Sequence, residues 1–445
     1  MKERVAVPGM RPLLIVWLGQ MVSLIGSGIT GFALGVWVYQ QTGSATQFAL
    51  IAVSSVLPSV LLSPVAGALV DRWNHRRTMI LSSIGAALNA SMLASLLAVG
   101  WLDIWHIYVV AAIASTLTAF QWPAYIAATT LLVPKQHLGR AGGMLQMGQA
   151  IAQLAAPAIG SLLLEFIQLQ GVVLFELAAY FFAITALLSV RFPITKPSPS
   201  GKTEKSSLLR EVAYGWSYLT SQSGLLGLLI FFAASNFLSG IVGILFGPLV
   251  LSFSSSVVLG VLLSIAGAGT LIGSVVMSIW GGPQRRMHAV FTAMLLCGVC
   301  ILVTGSGTYI PMLGAAIFLF FFCSSVLNIC TQVIFQKKVE PSVQGRIFAL
   351  RGTITSASLP FAYLIAGPLA DFVFEPLMLP DGPLAETLGQ FIGVGRGRGI
   401  GLMFMIVGAL TIMVTAIAYQ YPRLRLVEDE LPDAIPDDLA PSLSE

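Results

Sequence analysis

Charge is what this chain has least of. Asp, Glu, Lys and Arg make up 9% of its 445 residues, against about 25% in a soluble globular domain. A surface that poor in charge does not stay dissolved, so an ordinary cytosolic enzyme and a nucleic-acid binder are both excluded. Cysteine is scarce too. Cys297, Cys300, Cys323 and Cys330 sit in apolar stretches without metal-ligand spacing, which excludes a disulfide framework and leaves them as small core residues. No glycine-rich phosphate loop follows a strand. The run Gly393 to Gly399 is expected to be a flexible loop, so ATP-driven pumping is not predicted. Nor does polarity alternate over stretches of about ten residues, as outer-membrane barrel strands require.

What the chain has instead is apolar length. It is 56% hydrophobic, with a mean hydropathy of +0.87. Uncharged stretches of 59, 73 and 50 residues follow Arg11, Glu211 and Arg286. A membrane-crossing helix needs about 20 mostly apolar residues, so each stretch holds at least two. Runs between turn signals predict twelve spans, near 13–38, 47–70, 77–100, 105–128, 139–165, 170–190, 224–251, 257–280, 288–305, 309–335, 346–372 and 399–421. The fold class is an all-α polytopic membrane protein. Lys2, Arg4 and Arg11 precede a first apolar run that is too long for a signal-peptide core, so it is expected to stay as a span.

The basic residues orient the spans. With the N-terminus inside, 21 of the 23 Lys and Arg fall in inner segments, and only Arg396 and Arg398 fall outside. That bias predicts both termini in the cytoplasm of a plasma or inner membrane. Residues 191–210 are polar, basic and rich in Pro and Ser. The chain therefore divides into a six-helix half (1–190), a cytoplasmic linker (191–223), a second six-helix half (224–421) and an acidic tail expected to be disordered (422–445). Leu208 to Leu219, within the linker, is amphipathic and suits the membrane surface. Gly139-Arg140 recurs as Gly345-Arg346, and the same offset carries Gly67 onto Gly273. Such repeats are known from transporter architectures of two related halves.

The most specific motif is Gly67-Ala-Leu-Val-Asp71-Arg72-Trp-Asn-His-Arg76-Arg77, between spans two and three. It resembles the signature of the major facilitator superfamily, Gly-x-x-x-Asp-Arg followed by a basic pair. The resemblance implies two six-helix halves that alternate access, with Gly67 allowing close helix approach and Asp71, Arg72, Arg76 and Arg77 gating the cytoplasmic face. Asn74 departs from the family's usual Gly, and Met277 stands where a second-half Asp would. Gly148, Pro157 and Gly160 resemble the superfamily's antiporter motif in span five, with Ala156 in place of a Gly; ordinary small-residue packing gives the same residues. Longer stretches (Pro123 to Arg140, Gln344 to Arg351, Gly367-Pro-Leu-Ala-Asp371 and Tyr214 to Leu219) resemble the macrolide-efflux branch, which includes siderophore exporters. The resemblance implies a proton-coupled drug antiporter.

Coupling needs a group that changes charge, and Glu176 is the one acid clearly inside a span. Intramembrane carboxylates are costly and usually functional, so Glu176 is the candidate coupling residue, or else a hydrogen-bonded structural one. The resemblance implies a cavity lined by spans one, four, seven and ten. Gln20, Ser23, Ser27 and Thr30 share one helical face of span one, and Asn328, Gln332 and Gln336 one face of span ten. Gln121, Trp122 and Tyr125 in span four, with Asn236 and Phe237 in span seven, add amides and aromatics. Uncharged polar and aromatic groups suit a large, weakly charged ligand, which the resemblance implies is an amphiphile, macrolide-like or siderophore-like. The expected partners are lipid, that substrate and protons, for a monomer without metal, cofactor, nucleic acid or enzymatic activity. An importer of a small organic solute, or a scaffold or receptor that does not transport, are the alternatives.

Overall fold

The structure, a computed structural model, describes residues 10–70, 72–190, 192, 217, 220, 222–283, 285–339 and 341–430. The linker, with most of its amphipathic stretch, lies largely outside the described residues, and Asp71 and residues 431–445 lie wholly outside them. Among the described residues, eleven helices are long and apolar enough to cross a membrane. We number them α1 (Met10–Thr42), α2 (Ala45–Val70), α3 (His75–Val99), α4 (Ile104–Leu132), α5 (Leu138–Ser189), α6 (Ser223–Phe253), α7 (Ser256–Trp280), α8 (Arg286–Ser306), α9 (Ile310–Lys338), α10 (Pro341–Leu369) and α11 (Arg398–Gln420). They account for all twelve expected spans, because α5 holds spans five and six. Its arms meet at Gln168, whose φ of 56° and ψ of −177° break the helix without a loop. Those angles are nearly exclusive to glycine, so no turn residue in the sequence signals the break.

Helix ends follow local chemistry. Asn74 caps α3 by accepting a hydrogen bond from Arg77 N, and Gly100 ends the helix at φ 75°, where a Cβ would be strained. Thus Asn74, in place of the family's usual Gly, gives α3 a cap. Asp103 and His106 form a capping box at the start of α4. Pro opens α9, and Lys337 and Lys338 occupy its last turn, where positive charge complements the helix dipole.

Two compact units result. One comprises residues 1–201, 250–264 and 366–371; the other comprises 202–249, 265–365 and 372–445. In the first, Ile29, Leu93, Ile107 and Val172 belong to a buried cluster shared by α1, α3, α4 and the second arm of α5. In the second, Phe232, Met287, Phe335 and Ile347 belong to one buried cluster, and the Arg351 guanidinium lies 5.5 and 5.0 Å from the ring centroids of Phe232 and Phe335. Among lipid-like side chains, helix association depends on close packing and interhelical hydrogen bonds rather than on escape from water.

Two expectations change. The tail is not without structure from 422 onward. Pro422–Arg425 and Val427–Glu430 are helical, Val427 is fully buried, and Glu428 Oε2 accepts from Met287 N at 2.8 Å, capping α8. The Gly393–Gly399 run is an ordered turn rather than a flexible loop. Gly393, Gly395 and Gly397 take positive φ, and the Glu375 carboxylate accepts from Gly397 N and Ile400 N, so it caps α11.

Candidate functional site

The site is built on α1 and the second arm of α5. Glu176 is buried, 8% exposed. The Tyr180 hydroxyl, one helical turn on, donates to Glu176 Oε1 at 3.2 Å, and Ser27 Oγ of α1 lies 2.8 Å from that hydroxyl. Around this chain opens a cavity of about 240 Å³, lined by Ser27 and Thr30 of α1, Ser55 and Ser59 of α2, Asn89 of α3, Ser115 and Thr118 of α4, and Glu176 and Tyr180. Asn89 is 8% exposed; its Nδ2 donates to Val110 O at 3.0 Å, while its Oδ1 has no hydrogen-bond partner among the described residues. No Lys, Arg or His is among the residues lining the cavity.

A neighbouring cavity of about 80 Å³ shares Ser27, Thr118 and Tyr180 and is lined also by Gln20, Ser23, Gln121, Trp122 and Tyr125. Gln121 Nε2 donates to Gln20 Oε1 at 2.8 Å, and Gln20 Nε2 has no partner among the described residues. Trp122 and Tyr125 pack edge to face, 6.0 Å between centroids. The structure therefore gathers Gln20, Ser23, Ser27, Thr30, Gln121, Trp122, Tyr125 and Glu176 into two adjoining cavities inside the first unit. Asn89, Ser55, Ser59 and Ser115 complete the set and were not singled out from the sequence. Ser55 and Ser59 at i, i+4 were the available signal; lone serines in an apolar helix otherwise look like packing residues.

The second-half candidates belong to the other unit. Asn236 Nδ2 donates to Phe232 O and Asn328 Nδ2 to Ser324 O, each one turn back on its own helix. Gln332 is exposed, and Phe237 is half-buried beside Asn236.

The gating motifs land on helix contacts. Arg76 donates to Leu187 O and Leu188 O at 3.3 and 3.0 Å, so it neutralises the carboxyl end of α5. Arg72 and Arg77 are exposed. A Cβ on Gly67 would meet no heavy atom of the described residues within 4 Å. Gly148 and Gly160 let α5 lie against α1, where an added Cβ would stand 3.2 Å from Trp17 Nε1 and 3.1 Å from Phe32 Cδ1. The Pro157 carbonyl and Ser161 lie closer still to where a Cβ on Gly260 of α7 would stand.

One contact was not foreseen. Asp371, just past α10, caps α2. Its Oδ1 accepts from Ala45 N at 2.9 Å, and its Oδ2 accepts from Thr46 N at 2.8 Å and Ser44 Oγ at 2.6 Å. A Cβ on Gly367, one turn earlier, would stand 2.6 Å from Thr46 Cα. Ser44 Oγ also accepts from Gln47 N at 3.2 Å.

The family model described as Major Facilitator Superfamily matches residues 16–363. Macrolide efflux protein A of Streptococcus pyogenes is 27% identical over 365 residues, covering 80% of this chain and 88% of that protein. Multidrug efflux pump Tap of Mycolicibacterium fortuitum is 24% identical over 369 residues, 81% of this chain and 89% of that one. Among solved structures, a mutant of the nucleoside transporter NupG aligns with a TM-score of 0.71 at 12% identity, over 91% of this chain and 99% of that chain.

Proposed function

The chain belongs to the major facilitator superfamily, and we propose that it is a secondary active exporter of an amphiphilic drug or natural product, macrolide-like or siderophore-like, working in exchange for protons. The observation that carries this reading is the buried Glu176 carboxylate, hydrogen-bonded within a polar cavity that adjoins an amide and aromatic pocket. A carboxylate there gains and loses a proton beside the place where a ligand sits, which is what coupling requires. Likeness to efflux proteins supports the direction and the substrate class. Both termini face the cytoplasm, in a plasma or inner membrane, and the working unit is a monomer.

The roles divide accordingly. Gln20, Ser27, Thr30, Gln121, Trp122 and Tyr125 contact the substrate in one half, and Asn236, Phe237, Asn328 and Gln332 contact it in the other. Gly67, Asp71, Arg72, Arg76 and Arg77 close the cytoplasmic face. Gly367 and Asp371 hold the outer end of α2, and Gly148, Pro157 and Gly160 shape α5 against α1.

The test is uptake of macrolides, dyes and siderophores into inverted membrane vesicles, with and without a protonophore. Accumulation of one compound class that the protonophore abolishes is expected. Glu176→Gln should bind that compound yet release no protons when it is added. Accumulation indifferent to the protonophore, or proton release retained by Glu176→Gln, overturns the coupling assignment, and no accumulation of any compound moves the case to import.

A further inference from the structure

Most hydroxyls of the larger cavity offer electron pairs rather than protons; Thr30 Oγ1, buried without a partner among the described residues, is the exception. Ser55 Oγ donates to Ile51 O at 2.9 Å, Ser59 Oγ to Val56 O at 2.8 Å, and Thr118 Oγ1 to Ala114 O at 2.9 Å. Each hydroxyl has spent its one proton on its own helix, so what it can still offer is lone pairs. Ser115 Oγ already accepts from Ser59 N. Asn89 Oδ1 is an acceptor with no donor, in a residue more than nine-tenths buried. One carboxylate, Glu176, completes a lining without a basic side chain. Leaving a buried amide oxygen unsatisfied costs roughly 1–3 kcal/mol, and a buried carboxylate without a countercharge costs several more. A cation in this space answers both.

We infer that the cavity between α1, α2, α3, α4 and the second arm of α5 binds a monovalent alkali cation, held by the Glu176 carboxylate, Asn89 Oδ1 and the serine oxygens. Oxygen donors of this hardness suit alkali and alkaline-earth ions. Charge decides between them. One carboxylate neutralises one positive charge, whereas a divalent ion would leave an uncompensated charge in a low-dielectric interior. No group of three or more His, Cys, Asp and Glu that could hold a metal ion occurs among the described residues, so a transition-metal site has no ligands here. A volume of about 240 Å³ exceeds a bare ion and leaves room for several waters at roughly 30 Å³ each, so the ion is bound partly hydrated. The inference rests on Glu176 being the coupling carboxylate, and it makes proton and cation alternative occupants of one group.

The experiment is thermal unfolding of the full-length protein in detergent, titrated with NaCl against choline chloride at constant ionic strength. A saturable rise in midpoint with NaCl, absent in choline chloride, is expected. Glu176→Gln should abolish it, and Asn89→Ala should shift its half-saturation about tenfold higher, the loss of one charge-facing oxygen. Ser55→Ala, which removes a cavity oxygen without touching an interhelical bond, should shift it in the same direction if Asn89→Ala fails to fold. An equal rise in choline chloride, or an unchanged rise in Glu176→Gln, overturns the inference. A rise with methylammonium chloride but none with NaCl also overturns it, in favour of a substrate ammonium group. Proton release on drug addition, read in the same preparation, tells the two readings apart. If release persists while Na⁺ has no effect, only the cation site fails; if release is also lost, the coupling role of Glu176 fails with it.

Discussion

The same five-residue pattern occurs at the carboxyl ends of two helices. Gly67-Ala-Leu-Val-Asp71 ends α2, and Gly367-Pro-Leu-Ala-Asp371 ends α10. At the second, a neighbouring backbone sits where a Cβ would go, and the carboxylate caps the first turn of α2. At the first, the space around the glycine is open among the described residues. A glycine permits close approach, but only a partner makes use of it. The first stretch's carboxylate lies outside the described residues, so the comparison rests on the two glycines, and the contrast between them fits the proposed alternation between two closures.

Four measurements break or sharpen that comparison. The largest effect is expected from Gly367→Leu, which must push α10 off Thr46 and should lower stability by about 1–3 kcal/mol, read from the unfolding midpoint. Gly67→Leu, whose Cβ meets no described atom within 4 Å, should leave the midpoint within about 0.5 kcal/mol while lowering flux. Equal destabilisation by both would erase the contrast. Asp371→Ala comes next, at about 1–2 kcal/mol for a lost cap; Asp371→Asn, still an acceptor, should keep most of it, and an equal loss in both variants would mean that charge rather than capping matters. Asp71→Asn should leave stability alone and reduce drug efflux about fivefold or more, a coupling of roughly 1 kcal/mol; unchanged efflux would remove Asp71 from the gate. The smallest effect is Asn74→Gly, a few tenths of a kcal/mol on α3, measured by the same unfolding assay.

Much of this was legible in the sequence, for physical reasons that can be named. Lipid demands long uncharged runs, so the spans stood out between charges such as Arg11 and Asp71. Intramembrane acids are rare, so Glu176 stood out alone. Gln20, Ser27 and Thr30 were found because three polar groups on one helical face are conspicuous in an apolar helix. Asn89 was not, since its role depends on a free amide oxygen that no spacing reveals. The cap of α2 was equally invisible: Asp371 lies 326 residues from Ala45, and nothing near Ala45 announces a distant donor of the carboxylate. The joint in α5 falls between the expected spans 139–165 and 170–190, but its form was not legible, because glutamine is not a residue from which positive φ is expected.

Ser44 has a consequence for speed. Its hydroxyl is held by Asp371, yet it also accepts from Gln47 N, so α2 keeps a cap of its own when the carboxylate leaves. Parting from Asp371 therefore does not strand the first amides of α2, and the barrier to parting is correspondingly shallow. Every 1.36 kcal/mol spared in such a barrier is worth about tenfold in rate. In the proposed cycle, a clasp with this built-in substitute holds a resting state and still releases within a turnover, so its dwell time is set by the difference between two caps rather than by the full strength of one.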